Sequence, residues 1–386
     1  MTVEQQLYDL AAGINDQINW GVLKDEEELK TLANKHRVLA PLLAMREGIR
    51  QGYLTEERKE LVYQLLNYFE EEQIDYLMLK GVVASKYYPK HLIRQMSDID
   101  ILIKNIHHFW KVAAYLLEAG FDYEYVPMIC SVKGTYYCVA AFEKILTNGK
   151  QISIEFNVGG FLFSEYFWLN EEELWTSKST LLIDNRIIYV PNDSYNYFIL
   201  ICEAGGNERF RIRDAVDYHF FSKAEIDQNK INGLLQKYEI KHDEKDLRTL
   251  ANLLKHKQPV VKQFKQNRLR TRRFRQLLPA LMKRKISIRQ SVLQYFWLKS
   301  NRALQDEKFD NLCSKIGEIL ERIGAFDRGM MNYLIPLNET KGEMTIYKKG
   351  ANRYMVTPAG TFVINHFCFL EKHMEKDAEN LIKVDV

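Results

Sequence analysis

The chain has 386 residues, 46% hydrophobic and 27% charged, and its 54 Lys and Arg against 51 Asp and Glu leave a net charge of +3. That composition excludes a disordered or collagen-like protein, and the length admits two or three cooperative units with their own cores. Five cysteines (Cys130, Cys138, Cys202, Cys313 and Cys368) include no Cys-x-x-Cys pair, which points to reduced thiols in a cytosol and to neither a disulfide frame nor a zinc site. The opening Met1-Thr-Val-Glu-Gln-Gln6 lacks the basic and apolar regions of a signal peptide. No apolar run approaches the roughly 18 residues of a membrane span, so the expected location is cytoplasmic.

Residues 1–73 read as helical, with Leu61, Leu65, Leu66 and Phe69 on one stripe of the helix before the first strand. Asp75–Leu79 is a short apolar strand ending at Lys80-Gly81. Gly81 is expected to take backbone angles closed to other residues and to feed a helix over 82–88, whose free N–H groups, with Lys80 beside them, suit a phosphate. Asp98 and Asp100 stand two apart at the head of a strand over 99–103, so strand alternation sends both carboxylates from one face. Two bare carboxylates about 4 Å apart repel by about 1 kcal/mol in water and about 4 kcal/mol at an effective dielectric near 20. Such a pair is costly unless it shares a proton or holds a cation. Hard oxygens at this spacing suit Mg²⁺, often two ions bridging a phosphate substrate, which points to a nucleotide. Taken alone, Asp-x-Asp at a strand entrance is equally a solvated edge or an Asx-turn. Arg94, four residues before Asp98, either forks onto phosphate oxygens or locks the acidic loop.

A helix over about 106–119 carries Phe109, Val112, Ala113 and Leu116 at helical spacing and is stopped by Gly120. A strand over 121–126 follows, then a hairpin of Tyr136–Leu146 and Lys150–Val158 joined through Asn148-Gly149, a two-residue turn signal.

Strand, glycine turn, helix and then Asp-x-Asp on the next strand resembles the DNA polymerase β-like nucleotidyltransferase superfamily. Leu79-Lys80-Gly81, Tyr88-Pro89, Arg94, Asp98-Ile-Asp100-Ile-Leu-Ile103 and Leu116-Leu-Glu-Ala-Gly120-Phe121 resemble its little-characterised bacterial branch with a Leu-Lys-Gly motif. The resemblance covers roughly residues 60–220. It implies an α+β fold, with a polymerase β-like core (a small mixed sheet with helices) flanked by N-terminal helices and a C-terminal helical region. It also implies a third carboxylate on a later strand. Glu155 is the only acid of Ile152-Ser-Ile-Glu155-Phe-Asn157-Val, although the branch favours an Asp with a His two residues on, a pattern from which Glu155 and Asn157 depart. The catalytic and metal-ligating candidates are therefore Asp98, Asp100 and Glu155. Lys80, Gly81, Arg94 and Ser97 are the candidates for the nucleotide, with two Mg²⁺ ions and an NTP as the implied cofactor and substrate.

Beyond residue 191 the pattern turns helical. Asp193–Ala204 is apolar enough to pack, and Gly205-Gly206-Asn207 is expected to break it. If the next helix begins near residue 209, Arg213 and Asp217 form an i, i+4 pair with Arg209 one turn below. In related nucleotidyltransferases a helix after the catalytic sheet walls the nucleotide cleft, so Arg209, Arg211 or Arg213 is positioned for a triphosphate, the structural alternative being a salt-bridged helix contact. From Leu247 to Gln305 there is no acidic residue among 16 Lys and Arg, which leaves −13 on the rest of the chain. Phe264, Phe274, Tyr295, Phe296 and Trp297 interleave with these charges. RNA or another polyanion, solvated helical faces, and a membrane surface are all open partners for that segment. Glu343–Tyr347 and Arg353–Val356 read as a hairpin, and Thr361–Phe369 as a third strand or the last helix.

The expected organisation is 1–73 helical, 74–190 nucleotidyltransferase core, 191–330 helical with the basic segment 247–305, and 331–386 hairpin and helix. The expected activity is Mg²⁺-dependent transfer of an NMP from an NTP to an acceptor hydroxyl of a small molecule, peptide or protein, with pyrophosphate released. Toxin-type modification of tRNA or other RNA and non-catalytic nucleotide binding are the alternatives.

Overall fold

The computed structural model describes residues 2–15, 26–47, 56–164, 167–183, 186–265, 319–320, 324, 326–327, 329–349 and 352–366. Most of the basic segment 247–305 lies outside the described residues. Four helices come first, α1 (Val3–Ala11), α2 (Glu26–Lys35), α3 (Leu39–Glu47) and α4 (Glu56–Glu71). The motif-bearing stretch follows as β1 (Tyr76–Leu79), α5 (Lys80–Ser85), β2 (Ile99–Ile103) and α6 (Ile106–Glu118). Next come β3 (Asp122–Tyr123), β4 (Met128–Val132), β5 (Thr135–Ile145), β6 (Gln151–Val158), β7 (Phe161–Ser164), β8 (Phe167–Leu169), α7 (Glu172–Thr176), β9 (Ser179–Ile183) and β10 (Arg186–Val190). A helical stretch holds α8 (Asp193–Gly206), α9 (Ile212–Phe221), α10 (Gln228–Lys237), α11 (Lys241–Lys255) and α12 (Val261–Lys265). The chain then returns to strands with β11 (Asn332–Asn338), β12 (Thr345–Lys349), β13 (Asn352–Thr357) and β14 (Gly360–Asn365). The fold class is α+β. No helix among the described residues is long and apolar enough to cross a membrane.

Two compact units share the chain, and the division falls after Tyr76 in β1 and after Asp100 in β2. The first unit is helical and centres on α8. Asn192 caps that helix by accepting from the Tyr195 N–H at 3.1 Å, and nearly every residue from Ser194 to Gly205 is buried. A helix apolar on all sides belongs inside other helices, and α5, α9, α10 and α11 pack against it. The glycines do not break it as expected. Gly205 and Gly206 are still helical and the helix ends at Asn207, the last residue of the expected breaker; Gly205 serves close approach, since a Cβ there would come within 2.8 Å of the Asp243 carboxyl carbon on α11.

The second unit is built on a sheet in which β6, β5, β4, β11, β14, β13 and β12 follow one another, with β3 also paired to β5. β5 and β6 run antiparallel from Cys138↔Val158 to Ile145↔Gln151. Their connection is longer than the two-residue turn read from Asn148-Gly149. The Gly149 N–H donates to the Leu146 carbonyl at 2.9 Å, the Leu146 N–H donates to the Lys150 carbonyl at 2.7 Å, and Gly149 has φ +75. The strand expected over 121–126 contracts to β3, whereas β4 was not expected. β12 and β13 form the anticipated hairpin, and Thr361 lies in a strand, β14. The C-terminal strands join the sheet where β11 pairs with β4, Asn332 opposite Ile129 and Tyr333 opposite Met128. Aromatic rings pack α6 against the sheet: Phe109 lies 5.9 Å from Phe156, and Trp110 lies 5.2 Å from Phe362 of β14.

Gly159, at the end of β6, has φ +75, and a Cβ there would meet the Tyr136 carbonyl oxygen at 2.5 Å. We expect Gly159→Ala to cost about 2 kcal/mol or more, and Gly134→Ala, also at positive φ but in open space, about 1 kcal/mol. Urea unfolding midpoints of the two variants check this. Equal losses would mean that the contact at Tyr136 is not felt.

Candidate active site

The first unit gathers most of the residues singled out in the sequence, and the gathering begins at Lys80. β1 is buried throughout, and at its end the backbone turns with φ +48 at Lys80. The left-handed conformation expected of Gly81 thus falls one residue earlier, on a residue for which it costs about 1–2 kcal/mol. Gly81 itself is helical and serves packing. A Cβ there would press Met96 Sδ at 3.1 Å and Arg94 Nη1 at 3.3 Å. The helix it opens, α5, ends three residues short of the expected 82–88.

The Lys80 ammonium lies 2.6 Å from Asp100 Oδ1 and 3.5 Å from Glu203 Oε2. Asp100 is 2% exposed and Lys80 14%, so this ion pair is largely removed from solvent. A buried carboxylate needs a cation or a proton, and here the chain supplies the cation itself. Asp98, two residues earlier, accepts from the Ser97 hydroxyl at 2.9 Å.

Arg94 is turned away from this pair. Its Nε and Nη2 donate to the two oxygens of Asp217 at 2.8 and 2.7 Å, and the Tyr88 hydroxyl donates to Asp217 Oδ1 at 2.6 Å. Burial alone would lower the Arg94 pKa, but Asp217 outweighs it and holds the guanidinium above its ordinary value. Burial, then Asp217, also pushes the Tyr88 hydroxyl well above its ordinary value. Of the two roles open to Arg94, these bonds describe the locking one, because they fasten the loop before Asp98 to α9.

The expected Arg213–Asp217 pair does not form although both lie in α9, because Asp217 is taken by Arg94. Arg209 lies outside that helix. Arg213 Nη2 instead lies 3.9 Å from Asp214 Oδ1, and Asp214 Oδ2 accepts from the Arg211 N–H at 2.8 Å, capping α9. Burial raises the Asp214 pKa against the pull of Arg213 and Arg211.

Arg211 and Arg213 also act on Glu203. Lys80, then Arg213 and Arg211, hold its carboxyl below the usual range. Arg37, between α2 and α3, shares this field. Burial, Arg211 and Arg213 lower its pKa while Asp98 and Glu203 raise it. Lys80 thus reaches Asp100 and Glu203, Arg211 and Arg213 act on Glu203, and Arg37 is coupled to Asp98 and Glu203, a mixed cluster whose basic members suit a polyphosphate. Sequence reasoning missed Glu203 and Arg37. Glu203 had a signal, as the one acid in α8 after its first residue; Arg37 had none.

Glu155 sits on β6 in the second unit, where its Oε1 accepts from the Asn157 amide at 3.4 Å. Among the described residues no three His, Cys, Asp or Glu side chains gather as a metal-holding group. The donor chemistry at Asp98 and Asp100 still fits a hard divalent cation, because both are carboxylates and Asp100 is already matched to positive charge.

The chain belongs to a nucleotidyltransferase family. Residues 29–256 match the family described as "Uncharacterised nucleotidyltransferase", a span that holds every member of the cluster and stops before β11. Among solved structures it is similar to an antigenic nucleotidyltransferase-like protein from Paracoccidioides brasiliensis, at 15% identity and a TM-score of 0.31, over 54% of this chain and 97% of that one. No curated protein matches it. The activity this membership fixes is nucleotidyl transfer.

Two outcomes test the cluster's supports. Breaking a buried ion pair from one side strands the other charge, so Asp217→Asn should cost about 3–5 kcal/mol in urea unfolding, and an unchanged midpoint would show that Arg94 is satisfied elsewhere. His36 orients the start of α9, its Nδ1 accepting from the Ile212 N–H at 3.3 Å and its carbonyl from the Arg213 N–H at 3.2 Å. Burial lowers its pKa from 6.5 to about 4, with Lys35 and Arg211 helping and Glu4 opposing. The unfolded chain therefore takes the proton first. The contribution of His36 is complete above pH 6.5, falls as pH drops towards 4, and amounts to about 3 kcal/mol across that window. His36→Gln should flatten this part of a pH series of melting curves.

Proposed function

We propose that the protein is a Mg²⁺-dependent nucleotidyltransferase that moves an NMP from an NTP to the hydroxyl of a small molecule, a peptide or a protein and releases pyrophosphate. The observation that carries this reading is the Lys80–Asp100 ion pair two residues from Asp98, with Glu203 on the same lysine under the influence of Arg211 and Arg213, on a chain of nucleotidyltransferase family. Asp98 and Asp100 would hold the metal, and Glu155 is proposed as the third carboxylate, being the only acid of β6. When bound, Mg²⁺ supplies positive charge against the triphosphate.

The chain's own residues do the rest. Lys80 and the arginines neutralise phosphate charge and fix the triphosphate, so that positioning supplies much of the rate. Arg94 contributes by holding the loop through Asp217, and Ser97 by fixing the Asp98 carboxylate. Glu155 takes the proton from the acceptor hydroxyl. The acceptor oxygen forms a bond to the α-phosphorus as the bond to the β-phosphate oxygen breaks, and pyrophosphate leaves with that electron pair.

Calorimetric titration with each of the four NTPs, with and without Mg²⁺, tests the reading. We expect one or more NTPs to bind in a Mg²⁺-dependent manner and Asp98→Asn/Asp100→Asn to weaken that binding by at least about tenfold. Binding that is indifferent to both changes would describe a nucleotide sensor, and salt-sensitive co-purification of tRNA would place the acceptor in RNA.

A further inference from the structure

Lys80 and a metal ion make competing claims on Asp100. With its Nζ 2.6 Å from Asp100 Oδ1, the ammonium already engages one oxygen of the carboxylate, and a cation bound by the same group would lie close enough to be repelled. The lysine has little freedom to leave. Its backbone is fixed in the left-handed region between buried β1 and α5, and its side chain is 14% exposed. A second carboxylate is within reach, however. Glu203 Oε2, projecting from α8, lies 3.5 Å from the same nitrogen. One ammonium thus stands between two carboxylates at unequal distances, so a shift of an ångström or so exchanges its partner.

Resting on the reading above, we infer that Glu203 is a positioning residue that takes over the Lys80 ammonium when Asp100 is claimed by a divalent cation. It keeps the lysine in the site, facing the incoming phosphates, while freeing Asp100 as a ligand. Glu203 is poorly placed to be a ligand itself. Lys80, Arg213 and Arg211 all act on its carboxylate and hold it ionised, and together they disfavour a further cation there. Asp100 shares Lys80 with Glu203 but differs in having a second carboxylate, Asp98, two residues away and in being buried.

The test is Mn²⁺ binding to the full chain without nucleotide, followed by electron paramagnetic resonance of the free ion and by calorimetry, with far-UV circular dichroism to confirm folding. Removing the competitor should strengthen binding, so Lys80→Met should bind Mn²⁺ about tenfold more tightly than wild type. Removing the alternative partner should leave the ammonium on Asp100, so Glu203→Gln should bind about fivefold more weakly, and Glu203→Asp should restore most of the loss. Because Glu203 acts through Lys80, Lys80→Met/Glu203→Gln should bind like Lys80→Met alone. A further loss in that double variant would make Glu203 a direct ligand and overturn the inference. So would wild-type affinity in Lys80→Met, an outcome that reads the competition without any change at Glu203. If wild type binds Mn²⁺ and Asp98→Asn/Asp100→Asn does not, the metal site stands whatever happens to the hand-off. If wild type binds none, the metal reading falls and the hand-off with it.

Discussion

The Arg94–Asp217 ion pair is the constraint on which the first unit's arrangement depends. The residues between α5 and β2 carry Arg94, Ser97 and Asp98 through a stretch with no helix or strand to hold it. A guanidinium fork from that stretch onto a carboxylate of α9, with the Tyr88 hydroxyl on the same carboxylate, replaces the missing regular structure. A buried pair of this kind adds little net stability, since desolvating two charges costs about as much as their attraction returns, but it strongly penalises any arrangement that separates them. What it contributes is geometry. The start of the same helix carries Arg211 and Arg213, whose charges act on Glu203, so fixing the loop to α9 ties it to the element that supplies those charges.

Those surroundings divide the charges by their partners. Asp217, 1% exposed, is saturated by Arg94 and Tyr88 and acts as structure, and Asp214, also buried, caps the helix start. Asp98, Asp100 and Glu203 are matched to cations that come from different elements: Lys80 at the end of β1, Arg37 after α2, and Arg211 and Arg213 at the start of α9. With Asp214, which Arg213 and the Arg211 N–H also serve, four cations face four acids, a nearly balanced cluster whose cations come from separate elements.

Where the chain's structure is local, the sequence shows it. β2 occupies the residues its apolar run predicts, α6 stops before Gly120, with φ +79, and the pairing of β5 with β6 follows from alternation, although their connection is longer than the Asn-Gly turn. The Asp-x-Asp spacing and the Leu-Lys-Gly motif are local too, and they carried the family. Illegible were the features set by partners far along the chain. Asp217 is 123 residues from Arg94, so the nearby Arg213 was the natural but mistaken partner. Glu203 reads as a polar end to an apolar helix until Lys80 comes up against it. Gly205 reads as a breaker until α11 is seen pressing on it. The left-handed turn was assigned to Gly81 because glycine adopts it freely, whereas the tight approach of Met96 and Arg94 reserves Gly81 for packing and moves the strain to Lys80.

The second unit sets a limit on how separable the family region is. The matched span ends at residue 256, yet β4, within it, is hydrogen-bonded to β5 on one side and to β11 on the other. Without β11 the β4 edge presents unpaired N–H and C=O groups, which is a template for association. Without β14, Trp110 of α6 loses the ring of Phe362, and a fully buried Trp gains a face to solvent. Tyr123 of β3 loses a neighbour at the same ring. The strands beyond residue 331 therefore complete the layer under α6, the same sheet that carries Glu155 on β6. Their packing belongs to the physical description of the catalytic fold even though the family motif does not extend to them.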